Sequence, residues 1–88
     1  MGAESKLQSK IIKLLEADGW IVVKTIQLSK NGFPDIFAFK SGVTMFFEVK
    51  APNGVRSEIQ KYRIKQLREQ GFIAEFIDNI EHVKSILR

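Results

Sequence analysis

Two strand-like runs separated by two turn residues constrain this chain more than any other feature. Residues 35–40 (Asp-Ile-Phe-Ala-Phe-Lys) and 43–50 (Val-Thr-Met-Phe-Phe-Glu-Val-Lys) are rich in β-branched and aromatic residues, and Ser41-Gly42 stands between them. A two-residue loop fixes the register of a hairpin. Lys40 then opposes Val43, Phe39 opposes Thr44, Phe37 faces Phe46, Ile36 faces Phe47 and Asp35 faces Glu48. Directly opposed residues share a sheet face, with Cβ atoms ~4.5–5.5 Å apart. Lys50, two residues beyond Glu48, falls on that face as well, because side chains alternate along a strand. One end of an apolar hairpin therefore gathers an aspartate, a glutamate and a lysine.

Two carboxylates set opposite one another repel, and such a pair is destabilising by itself. A hard divalent cation relieves the repulsion. Mg²⁺ is typically held by one or two carboxylates, with waters and phosphate oxygens completing its octahedron. A metal so held polarises a phosphodiester and lowers the pKa of a bound water. The Lys50 ammonium is then placed to stabilise developing negative charge or to position the attacking water, and the main-chain carbonyl of Val49 offers a further ligand. A plainer reading stays open from the pairing alone, with Asp35 a turn residue after Pro34 and Glu48–Lys50 a surface ion pair. Phe46, Phe47 and Val49 weigh against it, since they imply a strand covered on both faces, where charges need a reason.

The other segments supply the covering layers. Residues 3–18 carry Leu7, Ile11, Leu14 and Leu15 at helical spacing, with Lys6, Lys10 and Lys13 on other faces and Gly19 as a stop signal. Residues 20–27 read as a strand, and 29–34, with Asn31-Gly32, as a loop. After a second loop over 51–56, residues 57–70 form a polar helix with Ile59, Tyr62, Ile64 and Leu67 as its apolar positions, closed by Gly71. A strand over 72–77 and a helix over 79–88, using Ile80, Val83 and Leu87, complete the order α-β-β-β-α-β-α. This is an α/β fold, a small mixed sheet flanked by helices. Trp20 and the seven Phe residues are most simply core, and His82 a surface or packing residue.

Composition sets outer bounds. At 88 residues the chain reads as one domain, 1–88, small enough that a dimer interface could contribute burial. It has no cysteine, so neither disulfides nor thiolate metal sites support it. No apolar run approaches the ~20 residues that span a bilayer, and the first residues lack a signal-peptide core, so a cytoplasmic protein with no membrane partner is expected. The formal net charge of +4 is compatible with a polyanionic partner and is weak support alone.

Three linked elements then carry a family resemblance. Gly32-Phe33-Pro34-Asp35, Phe47-Glu48-Val49-Lys50-Ala51-Pro52-Asn53-Gly54, and Ser57 with Gln60 resemble the PD-(D/E)XK nuclease superfamily and, more narrowly, its VRR-NUC family of virus-type replication–repair nucleases. The resemblance runs from Glu4 to about Gly71. It implies a restriction-endonuclease-like core in which Asp35, Glu48 and the Val49 carbonyl ligate metal and Lys50 is the catalytic lysine. Gln60 matches the helix glutamine that supports the site or contacts substrate. Glu4 matches an additional acidic residue on the first helix, which helps hold the metal site or orient its water. Family members cleave DNA with Mg²⁺ or Mn²⁺, and small members resemble Holliday-junction resolvases that act on branched DNA as homodimers. Gln60 and Glu4 also have structural readings. Ser57 and Gln60 fit a capping box, and an acidic residue in a first helical turn suits the macrodipole.

Lys61, Arg63, Lys65 and Arg68 decorate the helix after the hairpin, with Arg56 and Lys30 in flanking loops. As a group beside a metal site they are candidate phosphate contacts, giving affinity without sequence choice. The expected function is a structure-specific DNA endonuclease. Its alternatives are a nuclease of flaps or damaged DNA that needs a partner, and a DNA-binding module without catalysis. The intact Asp35, Glu48 and Lys50 speak against the last.

Overall fold

The computed structural model describes residues 2–88. Its elements are α1 (Ala3–Ala17), β1 (Ile21–Lys24), β2 (Ile36–Lys40), β3 (Val43–Val49), α2 (Glu58–Glu69), β4 (Ile73–Ile77) and α3 (Ile80–Ile86). They follow the order expected from the sequence. The four strands form one mixed sheet in the order β1-β2-β3-β4, antiparallel between β1, β2 and β3 and parallel between β3 and β4.

The hairpin register is the one that a two-residue loop dictates, from Lys40 opposite Val43 to Ile36 opposite Phe47. Ser41 (φ 50°) and Gly42 (φ 79°) both occupy the left-handed region, as a type I′ turn requires. β3 is the central strand, and Met45 through Val49 are all buried. Met45, Phe47 and Val49 join Ile36, Ala38 and Ile77 in a core closed by Ile11 and Leu15 of α1 and Val83 of α3. On the opposite face Phe46 and Ala74 pack with Ile64 and Leu67 of α2. Phe46 meets the edges of Phe37 (4.9 Å) and Phe72 (5.4 Å) in T-shaped contacts. Residue alternation places Phe46 and Glu48 together on the α2 face.

Several sequence expectations change in detail. β1 ends at Lys24 rather than 27; Thr25 continues its register one step, donating its N–H to the Asp35 carbonyl, and the chain beyond leaves the sheet. Phe39 and Phe72 are exposed, and Trp20 is half-buried, so the set of Trp20 and the phenylalanines is not wholly core. Ile59 is also exposed, since it packs under a loop rather than into the sheet. On α1 the buried stripe is Gln8, Ile11 and Leu15, with Leu7 and Leu14 only half-buried.

Candidate active site

Asp35 stands one residue before β2, directly after the buried Pro34. Thr25 fixes it there. The Thr25 N–H donates to the Asp35 carbonyl at 2.8 Å, and its hydroxyl lies 3.1 Å from the carbonyl oxygens of Pro34 and Asp35. The loop ahead is held by α2. Gly32 has φ 80°, and a Cβ there would lie 2.7 Å from both the Ile59 side chain and its carbonyl oxygen, so only glycine fits. One turn further along α2, Arg63 donates to the Asn31 carbonyl at 2.9 Å, and its guanidinium lies 5.3 Å from the Phe33 ring. Arg63 also donates to Gln66 at 3.0 Å. The sequence offers it as a phosphate contact; the structure engages it in clamping the loop that leads to Asp35.

The three central residues come together as the register requires. The Val49 N–H donates to Asp35 Oδ2 at 3.0 Å, which ties the aspartate to the end of β3 beside Glu48. Lys50 Nζ lies 3.9 Å from Glu48 Oε2, and the Lys50 side chain is 14% exposed. Glu48 itself is only 3% exposed. Burial raises its pKa from 4.5 to about 8, reinforced by the charge of Asp35 and a hydrogen bond between the two carboxyl groups. Lys50 opposes the rise, and Glu4 adds a smaller push upward. At neutral pH the metal-free site therefore keeps a proton on Glu48, next to Asp35.

A buried carboxyl beside a second carboxyl marks a place that favours positive charge. Two carboxylates, one of them buried, form a hard oxygen donor set of the kind that fits a divalent cation such as Mg²⁺ or Mn²⁺. Among the described residues no group of three or more Asp, Glu or His is gathered closely enough to make a larger cage. The remaining coordination positions would fall to water and substrate oxygens, as Mg²⁺ prefers. Glu4, in the first turn of α1, acts on the pair through its charge and lies outside such a cluster.

Gln60 is a capping residue in the structure. The Ser57 N–H donates to Gln60 Oε1 at 3.0 Å, and the Gln60 N–H donates to Ser57 Oγ at 3.2 Å, a complete capping box. This uses the amide oxygen of Gln60 and leaves its NH₂ as a donor. Lys30 and Arg56 are exposed, Lys61 is exposed and pairs with Glu58 at 3.2 Å, and Lys65 is exposed with no partner among the described residues. Arg68 donates to the Ala74 carbonyl at 2.7 Å and to Glu75 at 3.0 Å, covering the open edge of β4.

One contributor is not legible in the sequence: Thr25 carries no motif, and its role appears only once β1 and the Asp35 segment are adjacent.

Residues 1–78 match the family described as the VRR-NUC domain, and the chain belongs to that family. It is similar to a solved structure described as a VRR_NUC domain, with 24% identity and a TM-score of 0.87 over 99% of this chain and 96% of that one. A second, described as a VRR_NUC domain protein, is 18% identical with a TM-score of 0.77, covering 99% of this chain and 86% of that one. At these identities the two structures show a shared fold. No curated protein matches the chain. The family is a nuclease-type domain, and DNA is the partner that such a domain implies. No helix among the described residues is long and apolar enough to cross a membrane.

Proposed function

We propose that this protein is a Mg²⁺- or Mn²⁺-dependent endonuclease that hydrolyses phosphodiester bonds in branched DNA, such as Holliday junctions, and works as a homodimer. The observation that carries this reading is the buried Glu48 at the end of β3, with the Asp35 carboxylate bound to the next backbone N–H at 3.0 Å and Lys50 standing 3.9 Å away. Asp35, Glu48 and the Val49 carbonyl would hold the metal. When bound, the ion polarises the phosphodiester and acidifies a water. Asp35 and Glu48 orient that centre from the fixed ends of two paired strands. Lys50, little exposed, keeps its ammonium beside the reacting atoms and stabilises negative charge as it develops. The Gln60 NH₂ is free to meet a phosphate oxygen or the water, and the Glu4 charge favours retention of the cation. Lys30, Arg56, Lys61 and Lys65 provide contacts that depend on phosphate charge rather than base sequence.

The experiment is a comparison of labelled four-way junction, flap and plain duplex, each incubated with the protein and Mg²⁺ or Mn²⁺. Paired symmetric nicks in the junction are expected. Cuts confined to the flap would replace the junction reading with a flap nuclease, and cleavage that persists in chelator would remove the metal.

A further inference from the structure

The β4 edge carries a second polar feature, separate from the carboxylate pair. A cleft of about 370 Å³ opens between α2, β4 and the start of α3. Lys61, Lys65 and Arg68 reach it from α2 at i, i+4 and i+7 spacing, and Arg56 reaches it from the preceding loop. Four basic side chains thus face two carboxylates, Glu75 and Asp78. Glu75 is already matched by Arg68 at 3.0 Å. Arg56, Lys61 and Lys65 then outnumber the one remaining carboxylate, Asp78, so the cleft keeps a cationic excess. Lys61 has only an exposed i,i+3 pair, which contributes little, and Lys65 has none among the described residues. Arg56 is held over the Phe76 ring at 4.6 Å.

Phe76 ties this cleft to the catalytic centre. It is the parallel-ladder partner of Glu48 and so lies on the same sheet face, one strand spacing (~4.8 Å) away. On the other side of Glu48, the Asp35 carboxylate borders a separate depression lined by Lys30, Asn31 and Gly32. The carboxylate pair therefore lies between two openings, and the one at the β4 edge is the more cationic.

We infer that the β4-edge cleft is a phosphate subsite, which holds a backbone phosphate of the cleaved strand about one or two nucleotides from the scissile bond. The strand then runs past the carboxylate end of β3, from the Asp35 loop to Arg56 and Lys65. This rests on the nuclease reading and adds the route of the strand to it. Binding there is electrostatic and independent of base identity, because the cleft presents ammonium and guanidinium groups to a charged oxygen.

The test measures binding of the intact protein to a labelled four-way junction in chelator, at several salt concentrations. Lys65→Gln and Arg56→Gln are each expected to weaken binding about fivefold or more near 0.1 M salt. Each should also lower the slope of log K against log salt by about 0.9, the value for one lost phosphate contact. Lys84→Gln, whose cation pairs with Glu81 on α3 outside the cleft, serves as the control and should change neither. A single neutral methylphosphonate, scanned along the strand, should weaken wild-type binding one or two nucleotides from the cut and have little further effect on Lys65→Gln. Circular dichroism establishes that each variant is folded. Unchanged salt slopes, or methylphosphonate effects equal in wild type and Lys65→Gln, overturn the subsite. If the protein cleaves in a Glu48-dependent manner while the slopes stay unchanged, the subsite fails and the nuclease reading stands. If it binds no DNA at all, both fall.

Discussion

Glu48 occupies a position that an apolar residue would fill at lower cost, in the middle of the sheet and almost out of reach of water. Its raised pKa gives that cost a sign. Between pH 4.5 and about 8 the folded, metal-free chain binds a proton at Glu48 that the unfolded chain does not. The stability contributed by this group is therefore present below pH 4.5 and falls as pH rises through about 8. Glu48→Gln has no charge to bury. In chelator its melting temperature should exceed that of wild type by a margin that is small near pH 5 and widens towards pH 9. A margin on the order of 1 kcal/mol would correspond to roughly 4–8 °C. An equal margin at both pH values would show that Glu48 is not held protonated. Lys50→Met should leave the fold intact and lower cleavage by roughly 10²–10³-fold, the scale of losing one preorganised electrostatic group. Full activity in that variant would remove Lys50 from the chemistry.

The β2–β3 hairpin was readable because its register depends on local chemistry alone: a two-residue turn and alternating side chains. From these, Asp35, Glu48 and Lys50 could be placed on one face before any tertiary contact was known. The devices that hold them were not readable in this way. Thr25 binds Asp35 across ten residues, and Arg63 reaches Asn31 across 32, so neither leaves a periodic trace. Arg63 looked like any other cation on a polar helix until its partners were seen. Ile59 broke the apolar pattern of α2 for the same reason, since its contact is the loop at Gly32. Gly32→Ala should accordingly cost stability on the order of 1–3 kcal/mol, from positive φ and overlap with Ile59, and weaken divalent-metal binding measured by calorimetry. Metal affinity equal to wild type would mean that the loop does not position Asp35. Gln60→Glu separates capping from catalysis, because glutamate also completes a capping box but lacks the NH₂ donor. Stability should change by less than about 0.5 kcal/mol while cleavage drops; unaltered cleavage would leave Gln60 as a cap alone.

The molecule places helices on both faces of four strands, leaving β1 and its following loop as the open side. Ile21, Val23 and Ile26 are exposed there, and Ile26 is 98% exposed. Homodimer formation should give a light-scattering mass twice that of the 10.1 kDa chain; a monomeric mass that persists with junction DNA would contradict it. Neither the interface nor the strand path follows from sequence periodicity, since both depend on which edges the folded sheet leaves open. The central claim is more compact: the paired carboxyls of Asp35 and buried Glu48 hold a divalent metal that acts on a phosphodiester. The most direct measurement is cleavage of a labelled four-way junction by wild type and Glu48→Gln in Mg²⁺, Mn²⁺ and chelator. The predicted result is cutting by wild type only with a divalent ion, and no cutting by Glu48→Gln, whose binding to the junction persists. Cutting in chelator, or by Glu48→Gln at the wild-type rate, would contradict it.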